Sequence, residues 1–181
     1  CALLAIFSPN NSFLKPQNLI NVVRQISVIG LLALGVTVAI ISTGIDLSLG
    51  SVLGFSAVVT ASFVQQPDWK EAIYPGVQLP AIVGVLAGIA VGLTLGFVNG
   101  ALIAFTRIPP FIATLGMMQI ARGLAYIYSN GRPVSTLNDD FLFIGQGSLG
   151  VPVPILVFGT VVVLAHIMLG YTRFGRHVYA I

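Results

Sequence analysis

Of 181 residues, 56% are hydrophobic and only 7% are charged, against roughly 25% charged in an ordinary soluble domain. Eight Lys+Arg and five Asp+Glu cannot cover 19.0 kDa of chain with a mean hydropathy of +1.00, so the exterior must be mostly apolar and its solvent a lipid bilayer. The lone Cys1 excludes a disulfide framework and a cysteine-clustered metal site, two histidines leave little metal chemistry, and a net charge of +3 spread thinly along the chain is loop charge rather than a nucleic-acid patch.

The sequence starts at Cys1 within an apolar run and stops at Ile181 after a basic stretch, without initiator Met, signal n-region or closing tail. It therefore reads as a fragment of one transmembrane domain, 1–181, incomplete at both ends. A membrane-spanning helix needs about 20 mostly apolar residues, and the uncharged stretches are 25–45, 47–67, 72–106, 108–121 and 141–172. The ten prolines all fall at loops or helix starts, where a missing N–H does no harm. In chain order the expected elements are a truncated span ending near Phe7 and then helices over 19–43, 47–65, 80–105, 111–129 and 153–170. The runs are continuously apolar rather than alternating, which favours helices over a barrel. The fold class is an all-α polytopic membrane protein, a multi-helix bundle.

If the spans alternate, the turn at Asp46, the loop 106–110 and the tail 171–181 share one side, with loops 66–79 and 130–152 on the other. Lys and Arg divide equally between the sides, and the pairing of Arg173 and Arg176 beside a span places that tail in the cytoplasm.

Within the 80–105 segment, Gly84, Gly88, Gly92, Gly96 and Gly100 recur every fourth residue, followed by Ala104. Such a ridge lets another helix approach closely, because packing between helices in lipid comes from backbone contact. It reads as a packing seam, with a smooth wall beside a solute path as the other reading. Asp46, in Ser42-Thr43-Gly44-Ile45-Asp46-Leu47-Ser48, is the one acid in apolar surroundings. It suits either a cap for the following helix or a group on a pathway. Arg122 lies about 10 Å from the outer end of its helix. It either snorkels to the interface or faces a hydrated cavity beside Gln119. Arg24 is an interfacial snorkeler, and Asn99 suits an interhelical hydrogen bond.

Catalysis has little support. Ser148 and His166 are separated by roughly 20 Å along a helix, and no Gly-x-x-x-x-Gly-Lys-Ser/Thr phosphate loop is present. Neither a catalytic residue nor a metal ligand set is assigned.

Several stretches in order along the chain resemble one family. They are Thr43-Gly44-Ile45-Asp46-Leu47-Ser48-Leu49-Gly50-Ser51, Val98-Asn99-Gly100, Pro110-Phe111-Ile112-Ala113-Thr114-Leu115-Gly116, Arg122-Gly123, Ser129-Asn130-Gly131-Arg132-Pro133-Val134, and the tail from Thr172-Arg173-Phe174-Gly175-Arg176 to Ile181. Together they resemble the membrane permeases of bacterial ATP-binding-cassette importers for ribose, xylose and galactosides. The resemblance implies about ten helices, of which about six are present, in a multi-pass protein of the bacterial inner membrane. It implies a second permease copy, a periplasmic sugar-binding protein on the outer loops and a cytoplasmic ATPase. No cofactor is expected in this chain, ATP being bound by that partner subunit, and no nucleic acid is a partner. The stretch Arg173, Phe174, Gly175 and Arg176 would lead toward the ATPase, with the coupling loop following Ile181. Alternating access is the implied mechanism, with Asp46, Ser48, Asn99, Gln119 and Arg122 as candidate pathway residues. A branched-chain amino acid permease is the second possibility, and a secondary transporter or intramembrane enzyme the third.

Overall fold

The computed structural model describes residues 15–77 and 79–180. Among them the regular elements are helices, joined by two isolated bridges, Gln65 with Leu137 and Ser148 with Pro152. The expected span ending near Phe7 lies outside the described residues.

Helix α1, Pro16–Ile41, opens on a proline, whose fixed φ and absent N–H suit a first turn. It ends because Thr43 adopts a left-handed φ of 58°, which a helix cannot continue. Helix α2, Leu49–Phe63, follows an irregular turn and has Ser48 as its N-cap. Helix α3, Ala81–Thr106, stops at Arg107, again left-handed at φ 58°. Helix α4, Pro110–Tyr128, starts on the second of two adjacent prolines. With Val153–Tyr171, described below, five of the expected helices are present, their ends shifted by at most three residues.

Two short helices were not anticipated in the loop 130–152 and the tail. Helix α5, Asp139–Gln146, is capped by Asn138, whose side chain accepts the Phe141 N–H at 2.9 Å, and it carries Asp139 and Asp140 in its first turn, where they complement the helix dipole. At eight residues it is too short to register against a 20-residue ruler. Helix α6 is Val153–Tyr171, and α7, Arg173–Tyr179, turns away from it at Thr172, whose side chain accepts the Gly175 N–H at 3.3 Å.

Helices α1, α3 and α6 are long and apolar enough to cross a membrane. At 15 residues, α2 rises only about 22 Å, short of a hydrocarbon core of roughly 30 Å. Large apolar side chains such as Leu93, Phe97 and Phe105 point outward, whereas Ser27, Ser62, Gln65, Asn99 and Thr114 are buried. Lipid solvates the former, and small or polar groups let the helices pack closely.

The helices form two groups. In one, α2 packs on both α3 and α4. In the other, α1, α5 and α7 pack on α6, with Gly30 of α1 set against the Phe158 ring. The chief contact between the groups is α1 with α2, across the turn 42–48.

At the opposite end from that turn, α2 and α4 are tied through their loops. Asn138 donates its N–H to Val64 O at 2.8 Å, and Gln66 donates its own to Thr136 O at 2.9 Å. Between these bonds the Gln65 amide donates to Ser135 O at 3.0 Å and accepts the Ile73 N–H at 2.9 Å. The Tyr128 hydroxyl bridges Ser62, at 2.8 Å, and Tyr74, at 3.0 Å. Loops 64–77 and 130–138 are therefore one structured cap.

Candidate functional site

Helices α2 and α3 run antiparallel: Gly84 faces Val64 and Thr60, Gly88 faces Thr60 and Ser56, and Gly92 faces Ser56. In this register α3 continues beyond the start of α2, so the non-helical turn 42–48 lies at the depth of α3's final turns. Irregular backbone at membrane depth is tolerated where protein surrounds it or where it lines a hydrated cavity. Here protein packs against the turn on one side and a cleft borders it on the other.

The protein side of the turn is well defined. Gly44 donates its N–H to Ala39 O at 2.9 Å and rests against Pro110. The Thr114 hydroxyl, almost fully buried, lies 3.2 Å from both Ile45 O and Phe111 O, pinning the turn to the first coils of α4. Asp46 Oδ1 accepts from the Ser48 N–H at 2.8 Å and from its hydroxyl at 2.6 Å. Ser48, not Asp46, is the N-cap residue. The carboxylate thus holds the N-cap residue, one position before the helix, rather than the helix's own first-turn amides. Asp46→Ala frees the Ser48 N–H and should destabilise the full-length protein by about 1 kcal/mol, with Asp46→Asn losing less because an acceptor oxygen remains. Thermal unfolding in detergent measures both.

The cavity side is a cleft of about 210 Å³ between the turn and α3, lined by Ser42, Asp46, Gly96, Asn99, Gly100 and Thr114 among others. Asn99 is only 4% exposed, and its Oδ1 has no hydrogen-bond partner among the described residues. Among the described residues Asn99 makes no interhelical hydrogen bond of the kind expected of it, and the residue is part of the cleft wall.

A second cleft, about 500 Å³, opens between α2 and α4 and is lined by Gly50, Ser51, Gly54, Phe55, Met118 and Arg122 together with Leu47 and Ala125. Arg122 Nε donates to Ser51 Oγ at 3.2 Å. Arg122 therefore faces this cleft. Gln119 lies exposed on α4 outside both clefts, and Ser48 is buried against Asp46 and lines neither. Of the five candidate pathway residues, the structure brings Asp46 and Asn99 to one cleft and Arg122 to the other.

The glycine ridge divides in the same way. Gly84 and Gly88 are buried in the α2–α3 seam, whereas a side chain at Gly96 or Gly100 would meet nothing within 4 Å. Gly84 and Gly88 thus serve as a packing seam, while Gly96 and Gly100 border the cleft beside the turn. Arg24 Nη2 donates to Gln146 O, the last carbonyl of α5, at 3.1 Å, where a cation complements the helix dipole.

On α7, Gly175 and Val178 are buried while Arg173, Phe174 and Arg176 are exposed. A Cβ on Gly175 would lie 1.9 Å from Leu169 O, so only glycine allows α7 to close on the end of α6. Sequence reasoning missed Ser51, Thr114 and Gln65. Thr114 and Ser51 stood inside the matching stretches, and Gln65 showed only as a polar residue closing an apolar run.

The chain matches the family described as "Branched-chain amino acid transport system / permease component" over residues 18–181. Among curated proteins it is similar to the ribose import permease protein RbsC of Escherichia coli K12, 40% identical over 185 aligned positions that cover 99% of this chain and 54% of that protein. RbsC of Bacillus subtilis is 38% identical, covering 95% of this chain and 51% of the relative. The galactose/methyl galactoside import permease protein MglC of Haemophilus influenzae is 35% identical, covering 97% and 55%. The chain thus spans about half the length of these relatives. No solved structure matches. With its helical architecture and this match over nearly its whole length, the chain belongs to that permease-component family.

Proposed function

We propose that the chain is part of the membrane permease subunit of an ATP-binding-cassette importer that moves a monosaccharide, ribose or a galactoside-like sugar, across a bacterial inner membrane. The observation that carries this is the alignment of nearly the whole chain with permeases named for ribose and galactoside import. The permease does no covalent chemistry. A periplasmic receptor delivers the sugar to the capped outer loops, and a second permease copy completes the path. A cytoplasmic ATPase, which binds the ATP, docks on the side of Arg173, Phe174, Gly175 and Arg176. Closure of the ATPase rocks the α2–α3–α4 group against the α1–α6 group about the turn 42–48, opening the clefts in alternation.

Asp46, Asn99 and Arg122 line this path. A neutral polyol suits clefts that carry few charges of opposite sign close together. An amino acid zwitterion asks for both signs in one place, and Asp46 and Arg122 line separate clefts. The test is uptake of labelled ribose and galactose into proteoliposomes holding the full-length permease with its ATPase and receptor. Uptake should require both ATP and receptor and resist competition by leucine. Uptake driven by an ion gradient alone, or displaced by leucine, overturns the proposal.

A further inference from the structure

The Asn99 amide is the one polar side chain that is more than nine-tenths buried, borders a cleft and has an unpartnered atom among the described residues. A buried amide oxygen left unpaired costs about 1–3 kcal/mol, and such an oxygen in a native protein points to something that visits it. Three features of the surroundings define the visitor. Gly96 and Gly100 flank Asn99 on α3 and leave the wall without side chains. Asp46 opposes them with a carboxylate whose Oδ1 is occupied by Ser48. The lining holds no Lys, Arg or His, so an anion would meet only Asp46's repulsion.

A volume of about 210 Å³ lies below the roughly 300 Å³ at which pockets for whole drug-sized ligands begin. It takes the edge of a small molecule. The donor and acceptor inventory asks for a neutral group that can donate to a carbonyl oxygen and a carboxylate and also accept from an amide N–H₂, which a hydroxyl does and a hydrocarbon does not.

We infer that Asn99, with Asp46 opposite, forms a hydroxyl-binding subsite at the turn 42–48, where one edge of the translocating polyol is held partway across the membrane. This rests on the importer reading above and assigns a specificity-determining residue to it. Asn99 hydrogen-bonds the passing hydroxyl; Asp46 holds the turn with one oxygen and offers the cleft its other. A sugar lacking hydroxyls on the edge presented here leaves Asn99 unpaired and crosses more slowly.

The experiment uses the full-length permease assembled with its ATPase and receptor, the receptor saturated with labelled sugar so that its own selectivity drops out. Asn99→Leu keeps the size of the side chain and removes its hydrogen bonds. Sugar imported per ATP hydrolysed should fall about tenfold, the worth of one such bond, while Asn99→Ser, which keeps a hydroxyl, recovers part of the loss. Uptake per ATP within twofold of wild type in Asn99→Leu overturns the subsite and leaves the importer reading standing. A wild-type complex that imports no sugar fails at the importer reading itself and takes the subsite with it. Should Asn99→Leu not assemble, Gly100→Cys fits the open space beside Asn99. Its alkylation by a small maleimide should slow at least threefold with the transported sugar and not with a sugar that is not transported. An unchanged alkylation rate means the cleft holds water alone, which also overturns the subsite.

Discussion

Gly175→Ala in the full-length permease should lose most receptor-stimulated ATPase activity and most uptake, at least tenfold in each. The alanine Cβ would lie 1.9 Å from Leu169 O and 2.5 Å from Leu169 C. Neither is a side chain that can rotate away, so α7 must leave its seat on α6. Overpacking of this kind costs about 3 kcal/mol, comparable with all that a seven-residue helix can gain from burying Val178. Trypsin should then cut faster at Arg173 and Arg176, which the docked helix holds in regular structure. Gly170→Ala is the control, since a Cβ there meets nothing within 4 Å. Wild-type trypsin resistance in Gly175→Ala would show that α7 keeps its seat on α6 despite the added Cβ, and faster cutting with wild-type coupling would show that α7 does not carry the contact with the ATPase.

The second large effect separates the two halves of the glycine ridge. Gly84→Leu places its Cβ 2.6 Å from Val64 Cγ1 and 2.8 Å from Thr60 O, and the backbone oxygen cannot yield. It should cost about 3 kcal/mol, lowering the unfolding temperature by about 5–10 °C. Gly96→Leu enters open space and should leave that temperature nearly unchanged while obstructing the cleft beside Asn99 and slowing uptake severalfold. Thermal unfolding and uptake measured on both variants give the comparison. Equal destabilisation by the two would make the whole ridge a packing seam.

The long helices were legible because charges and prolines mark their ends: Pro16 and Pro110 occupy first turns, and apolar runs between charges leave no other structure for a chain in lipid. Helix α5 was hidden because eight residues between Asn138 and Gly147 carry a cap signal but no span. Helix α7 was hidden because it depends on Gly175 meeting Leu169, a contact between residues whose types predict nothing about each other. At the candidate site, Asp46 and Asn99 stood out as polar residues in apolar surroundings, and the structure puts both on one cleft. Gln119 stood out for the same reason and lies outside. Which face of α4 looks inward is decided by α2's packing, which draws in Thr114, Met117 and Ala121 and leaves Gln119 exposed. Periodicity alone does not select that face when the whole helix is apolar enough for lipid.

The knot at Gln65 has a mechanical consequence. Its bond to Ser135, with those of Val64 and Gln66 to the same loop, clamps together the ends of α2 and α4 farthest from the turn 42–48, so that neither can slide independently. At their other ends Thr114 fastens α4 to Ile45 in the turn that leads into α2. A pair of rods fixed at both ends behaves as a beam. A push delivered near the turn 42–48 therefore reaches the cap at the opposite end as a tilt of the whole beam, with its far end travelling the greatest distance.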